Sequence, residues 1–372
     1  MFRSGGACRE SRITFEMARR NQDEAANINP DDSADGRKPK VNPETRWASA
    51  AGPIRIGVSS CLLGEEVRFD GGHKRNEFLI ETFGKFVEFV PFCPEMALGL
   101  GAPRESLRLV RDESEPEDPA RGVRLVGNRS GVDMTEAMQA LASERACALV
   151  NVGLSGYVLK KDSPTCGMER VRVYTANGMP SRGGRGLFAE ALIAAMPNLP
   201  VEEEGRLSDA RLRENFIERV FAYYQMRAFF DAGWKVGGLV AFHTVHKLTL
   251  MAHSPHAYAE MGRMVAEAKR VPAAEMRERY ESEFMAAMSK LATPARHVNV
   301  MHHMAGYLRE HLDADGRREM LGLIEDYRNG LVPLVVPLTL IRHHVRRFDI
   351  AYLKAQTYLE PHPKELMLRN HV

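Results

Sequence analysis

Three cysteines stand where the backbone turns. Cys61 heads "CLLGEEVRFDGG", Cys93 heads "CPEMALGLGAPR", and Cys166 closes "SPTC" just before Gly167. Around Cys166 lie Lys160, Lys161, Asp162, Ser163 and Thr165, with Pro164 fixing the backbone, so this thiol is presented by a polar turn and does not read as an ordinary core residue. The separations along the chain fit no zinc-finger or ferredoxin spacing. Three thiolates with no nearby histidine suit a soft metal, and an iron-sulfur cluster held by three cysteines leaves one iron open as a Lewis acid or a sulfur acceptor. The same residues also read as small buried side chains, since free cysteine is often interior. Gly64, Gly71, Gly72, Gly99, Gly101 and Gly167 let backbone come close to a bulky ligand.

A parallel sheet would bring the three together. The runs "IRIGVSS" and "FVEFVPF" read as strands ending at Cys61 and Cys93. "VDMTEAMQALASERA" has helix spacing with Asp133 as its cap, and "CALVNVG" reads as the strand before the loop that carries Cys166. "RVRVYTANG" adds a strand and a turn, and "GRGLFAEALIAAM" a helix. This alternation predicts an α/β domain, Rossmann-like with a largely parallel sheet, in which the carboxyl ends of the strands share one ligand-binding edge. Cys147, in "ERACALV", reads as structural. Cys8 falls in residues 1–52, whose mixed charges and lack of apolar periodicity read as a disordered N-terminal extension or a start-site artefact.

After "NLPVEEEGRLSD" the strands give way to segments with apolar residues at helix spacing, among them "ARLRENFIERVFAYYQMRAFFDAG" and "RHVNVMHHMAGYLRE". The expected organisation is an N-terminal extension over 1–52, the α/β domain over 53–204 and an all-α domain over 205–372. A chain of 372 residues with 44% hydrophobic and 27% charged residues has room and composition for two globular domains. Five cysteines, an odd number, argue against a disulfide framework. A net charge of +2 does not by itself point to nucleic acid. No apolar run approaches the roughly 18 residues of a membrane span, and no secretory h-region is present, so the expectation is a cytoplasmic protein without a membrane partner. A Gly-rich dinucleotide fingerprint and a P-loop are both lacking.

The motifs "SSCLLGEEVRFDGG", "FCPEMALGLGAPR" and "KKDSPTCG" resemble the three signatures of the thiouracil desulfidase family, over residues 54 to 200. Phe69 stands where many members have Tyr, and Thr165 where many have Ser; neither departure removes a ligand. The C-terminal half resembles the YbgA-like domain through "FHTVHKLTLMAHS", "HVNVMHHMAGYL", "YRNGLVPLVVPLTLIRHHV" and "YLEPHPKELMLRN". The two in this order resemble the fusion proteins known as tRNA 4-thiouridine desulfidases. The resemblance implies a 4Fe-4S cluster on Cys61, Cys93 and Cys166, whose open iron takes the thiocarbonyl sulfur while water replaces it at carbon. A uracil-type base and hydrosulfide result, without net redox change. Proton handling then falls to Glu95, two residues after Cys93, and Ser163, three before Cys166, as the expected catalytic pair. Both also read as local structure, Glu95 capping a helix and Ser163 holding a turn. Asp70 and Lys160 are weaker candidates, as turn chemistry and a solvated charge.

All histidines but His73 lie in the C-terminal half, and His243, His246 and His253 recur near helical offsets. No local carboxylate completes a metal set, and with Lys247 they equally suit phosphate. Basic residues in "IRHHVRRF", and aromatics beside Arg227 in "FAYYQMRAFF", suit an RNA backbone with an unstacked base, or else a solvated face and a helix core. A helical partner of this size favours tRNA docking through the C-terminal domain, with 4-thiouridine as the substrate. Two alternatives stand beside it: a desulfidase of free thiouracil or thiouridine, and a non-catalytic iron-sulfur RNA-binding sensor. The oligomeric state is left open.

Overall fold

The structure, a computed structural model, describes residues 52–111, 122–175 and 178–371. The expectation for residues 1–52 therefore lies almost wholly outside the described residues. The chain divides into two compact units. One comprises the described residues up to Leu79 together with Val87–Leu199, the other Ile80–Phe86 and the described residues from Pro200 onward.

In the first unit, β1 (Arg55–Ser59) pairs parallel with both β2 (Glu88–Phe92) and β5 (Leu154–Leu159). Every residue of β5 is buried and so are the last four of β1, the continuous burial expected of central parallel strands. Gly57 and Tyr157 are register partners, and a Cβ on Gly57 would lie 2.1 Å from the Tyr157 ring. Glycine is required there because the ring lies across its strand neighbour.

A second sheet, of order β4-β3-β6-β7, combines β3 (Leu107–Arg111), β4 (Val123–Gly127), β6 (Val171–Tyr174) and β7 (Pro180–Gly184). Only its β3–β6 pair is parallel; β3–β4 and β6–β7 are antiparallel. Its core joins Leu109, Leu125, Val171 and Val173 to Met138 and Leu187 of flanking helices.

One expected element is corrected. Helix α2, after the four-residue α1 (Pro94–Ala97), runs from Thr135 to Val150 and takes in "CALV", which reads as strand in the sequence. Ala142, Ala146 and Leu149 carry the helix face onward, and a short apolar run cannot by itself decide between the two periods. The strand is the next segment, β5. Asp133 sits just before the helix and accepts the Thr135 amide at 2.9 Å, but the N-cap position is Met134. Helix α3 (Leu187–Ala195) forms where expected.

The second unit is helical: α4 (Ala210–Asp231), α5 (Val236–His253), α6 (Pro255–Ala266), α7 (Ala273–Met288), α8 (Pro294–Leu308), α9 (Ala314–Arg328) and α10 (Val335–Arg347), then a short α11 (Ala351–Lys354). Side chains of Asp209, Ser254, Thr293 and Asp313 cap α4, α6, α8 and α9 in turn, and Pro opens α6 and α8. The fold is thus an α/β domain followed by an all-α one. Among the described residues no helix is long and apolar enough to cross a membrane.

Candidate functional site

The carboxyl edge of the parallel strands carries the three cysteines. Ser59, the last residue of β1, is the register partner of Phe92, the last of β2. Cys61 lies in the 3-10 turn Ser60–Leu63 that follows β1, and Cys93 directly follows β2 as the N-cap residue of α1. Cys166 lies in the loop after β5. That loop is tied to β1 through Ser59, whose hydroxyl accepts the Lys160 amide at 3.0 Å and hydrogen-bonds the Cys166 sulfur. Gly64 ends the Cys61 turn in the left-handed region, φ 98°, where its amide donates back to the Cys61 carbonyl.

The first turn of α3 fixes the Cys166 loop from the other side. Leu187 N donates to Pro164 O, and Phe188 N and Ala189 N donate to Thr165 O at 3.0 and 3.2 Å. A Cβ on Gly186 would lie 2.5 Å from the Thr165 carbonyl, so this approach requires glycine.

The three cysteines are free thiols, with Cys61 and Cys166 only 7% and 6% exposed. Among the described residues no three His, Cys, Asp or Glu side chains are grouped closely enough for a single metal ion. The three thiols each follow the carboxyl end of a parallel strand, β1, β2 or β5. Their chemistry fits a cationic group. Burial pushes the Cys166 thiol far up despite the hydrogen bond from Ser59, and burial raises Cys93 as well. Thiols in this setting ionise against a bound cation, which supplies the missing positive charge. Tyr157, fully buried and electrostatically linked to Cys166 and Cys93, has a hydroxyl without a hydrogen-bond partner, an orphaned donor beside the thiols.

Both carboxylate oxygens of Glu95 are engaged. Oε1 accepts from Thr165 Oγ1 at 2.8 Å, and Oε2 accepts from Arg104 Nε at 3.0 Å and from Nη2. The Glu95 and Arg104 side chains are 13% and 7% exposed. Ser163 Oγ lies 3.0 Å from Thr165 Oγ1 and accepts the amides of Cys166 at 3.1 Å and Thr165 at 3.3 Å. A hydroxyl has one proton, and Thr165 gives its proton to Glu95, so Ser163 is the donor between the two. The result is an oriented chain, Ser163 O–H to Thr165 O–H to the Glu95 carboxylate, running beside Cys93 and Cys166.

Glu95 and Ser163 are therefore brought together, but through Thr165, which reads in the sequence only as a departure from a motif. Arg104 was also missed, although the quoted "GLGAPR" contains it. Asp70 accepts the Gly72 amide at 3.1 Å and pairs with Arg68 at 3.0 Å, which is turn chemistry. Lys160 Nζ donates to the Lys161 carbonyl at 3.0 Å.

The C-terminal histidines are placed differently from expectation. His243, His246 and His253 are buried, each 2% exposed, so they are not surface groups open to phosphate. His243 meets the Tyr280 hydroxyl, His246 lies between Phe242 O and Gln225 Oε1, and His253 lies between Lys290 O and Glu218 Oε2. Of the aromatics in "FAYYQMRAFF", Phe221, Tyr224 and Phe230 are core. Tyr223 is partly buried, with the Arg227 guanidinium 5.7 Å from its ring centroid. Arg347 lies over Phe348 at the end of α10, and Arg346 pairs with Glu360.

Comparison with known proteins matches two separate segments of the chain. Residues 56–204 match the family model described as 2-thiouracil desulfurase, and residues 247–363 match one described as a protein of unknown function, DUF1722. The chain is 31% identical over 161 residues to the uncharacterized protein YbgA of Escherichia coli (strain K12), covering 43% of this chain and 95% of that one. It is 32% identical over 112 residues to the uncharacterized protein YbbK of Bacillus subtilis (strain 168), covering 30% and 72%. A solved structure, the 4Fe-4S-dependent thiouracil desulfidase TudS, is similar at 32% identity and a TM-score of 0.32, covering 42% of this chain and 93% of that one. Through its N-terminal part the chain belongs to the 2-thiouracil desulfurase family, and through its C-terminal part to the YbgA-like DUF1722 family.

Proposed function

We propose that the protein is an iron-sulfur-dependent desulfidase that removes sulfur from 4-thiouridine in tRNA, giving uridine and hydrosulfide. The observation that carries the enzymatic reading is the hydroxyl chain ending on Glu95 beside two of the three cysteines. In this reading Cys61, Cys93 and Cys166 hold a 4Fe-4S cluster, which supplies a Lewis-acidic, sulfur-seeking iron when bound. The remaining work is proton transfer. Replacing C=S by C=O with water releases a proton from the attacking water and requires one at the departing sulfur or ring nitrogen, with no change in oxidation state. Ser163 O–H is the accessible end of the chain: it gives or takes the proton, Thr165 passes it on, and Glu95 is the reservoir. Arg104 orients Glu95 and balances its charge.

The tRNA substrate is supported by the joining of a helical unit to the desulfurase unit, and by the basic end of α10, where Arg347 stacks on an aromatic ring. Free thiouracil is the second reading, favoured by the family's description as acting on 2-thiouracil. An anaerobic assay of the reconstituted protein decides between them, following thiobase loss and hydrosulfide release on thiolated tRNA and on free thiobases. Turnover on tRNA that vanishes in Cys166→Ala supports the proposal. Turnover on free bases alone sinks the tRNA assignment. An intact cluster with no turnover on any substrate removes the enzyme in favour of a sensor.

A further inference from the structure

The helical unit contains a cavity of about 180 Å³, lined by both ionisable and apolar side chains, whose floor and mouth differ in character. Its floor includes Glu214, Glu218, His253 and His297, all buried, and its mouth includes the exposed Arg211 and Arg328. Burying so many ionisable groups is costly unless they are paired. Most of the floor is indeed paired. Arg369 bridges the two carboxylates, with Nη2 on Glu218 Oε1 and Nε on Glu214 Oε1, and His253 Nε2 meets Glu218 Oε2 at 3.0 Å.

Three lining groups are left over, and each is a donor. His297, 7% exposed, uses Nδ1 on the Tyr358 hydroxyl at 2.7 Å, and its Nε2 has no partner. The Tyr358 hydroxyl meets no other group, so it donates to Nδ1 and leaves the proton of the neutral ring on Nε2. The Tyr327 hydroxyl and the Arg211 guanidinium likewise make no hydrogen bond or ion pair among the described residues. Arg211 lies in the first turn of α4, and Pro294 and His297 in that of α8, so two long helices direct the positive ends of their dipoles to the cavity. Asp209 and Thr293 already cap the first amides, which leaves the side chains as the ligand's donors.

We propose that this cavity binds a phosphomonoester, with Arg211, Tyr327 and His297 donating to its oxygens. A tetrahedral dianion accepts donors from several directions at once, as a guanidinium, a phenol and an imidazole on three helices supply. Glu214 and Glu218 both pair with Arg369, which offsets their charge at the floor, and burial with the adjacent Glu218 raises the Glu214 pKa. Tyr327, raised to about 12 by burial, stays a phenol donor. The site is independent of desulfidation and goes beyond it.

Titration calorimetry on the intact protein tests the proposal with inorganic phosphate, uridine 5′-monophosphate, and a trinucleotide carrying either a 5′-phosphate or a 5′-hydroxyl. Saturable binding of the phosphate probes is expected, weakened about tenfold by Arg211→Gln and severalfold by Tyr327→Phe. A 5′-phosphorylated trinucleotide that outbinds the mononucleotide identifies an RNA end as the source; the reverse order identifies a free small phosphate. Both support the site. Absence of saturable binding by every phosphate probe overturns it, as does unchanged affinity in both variants. Turnover of free 4-thiouridine by Arg211→Gln is expected to match the wild type, and its loss together with phosphate binding would overturn the separateness of the site.

Discussion

Thr165 joins two groups that lie far apart in sequence, and its value is a single proton in a fixed direction. Thr165→Val keeps the volume and removes the hydroxyl between Ser163 and Glu95. General acid–base groups contribute about 10²–10⁴ in rate, so this variant is expected to lose at least about 10² in kcat while retaining its iron and sulfide. Thr165→Ser, which keeps the hydroxyl, is expected to retain most activity. Wild-type kcat in the valine variant would show that the chain carries no proton. Arg104 acts at the same scale through charge. Arg104→Met strands the Glu95 carboxylate in a site where both partners are nearly buried, and a loss of about 3 kcal/mol is expected from urea unfolding. A loss well under about 1 kcal/mol would mean that water replaces the guanidinium.

At the scale of elements, the site depends on how closely β1 and β5 approach. Tyr157 crosses β1 at Gly57, and its ring also packs edge-on against Phe188 of α3, 5.7 Å between centroids. Strand, strand and helix are thus joined behind the cysteines. Gly57→Ala places a methyl group inside the ring and is expected to destabilise the first unit by about 1–3 kcal/mol. If the clash is the cause, adding Tyr157→Ala makes the glycine position tolerant, a non-additivity that a double-mutant cycle reads directly. Additive losses would assign the effect to the backbone of β1 instead.

Across the whole molecule, the helical unit concentrates the buried titratable groups, and this sets its response to pH. Burial lowers His243 to about 4, His297 to about 3 and His362 to about 4. An unfolded histidine titrates near about 6.5, so below that pH the unfolded chain binds protons that the folded one refuses, and stability falls. Glu218, whose pKa is lowered by Arg369 and His253 against its own desolvation, adds a further loss in acid below 4.5. Glu214 runs the other way. Its raised pKa means that stability is lost as pH rises above 4.5, because the unfolded carboxyl releases its proton first. Three histidines outweigh one carboxyl on the acid side; just above neutrality the carboxyl lowers stability, and above about pH 10 tyrosines with raised pKa values add to the loss. The urea midpoint, followed by circular dichroism, is therefore expected to peak near about pH 6.5 and to fall more steeply toward acid. A midpoint unchanged between pH 7 and 5 would show that these histidines are not held neutral.

Local chemistry was legible in the sequence: cysteines after apolar runs, a polar turn closed by Pro and Gly around Cys166, and helix spacing throughout the second half. These features follow from preferences that act over a few residues, so α/β followed by all-α could be read without a structure. Ambiguous runs could not. "CALV" satisfies both periods, and only the packing of Ala146 and Leu149 made it helix. The mixed second sheet, the Thr165 contact to Glu95, the burial of His243, His246 and His253, and the unpartnered donors of the helical cavity were decided by tertiary structure alone. Sequence determines which groups can donate, accept or ionise. Which partner each finds depends on residues brought close by packing from tens of positions away, and that choice exists only in the folded chain.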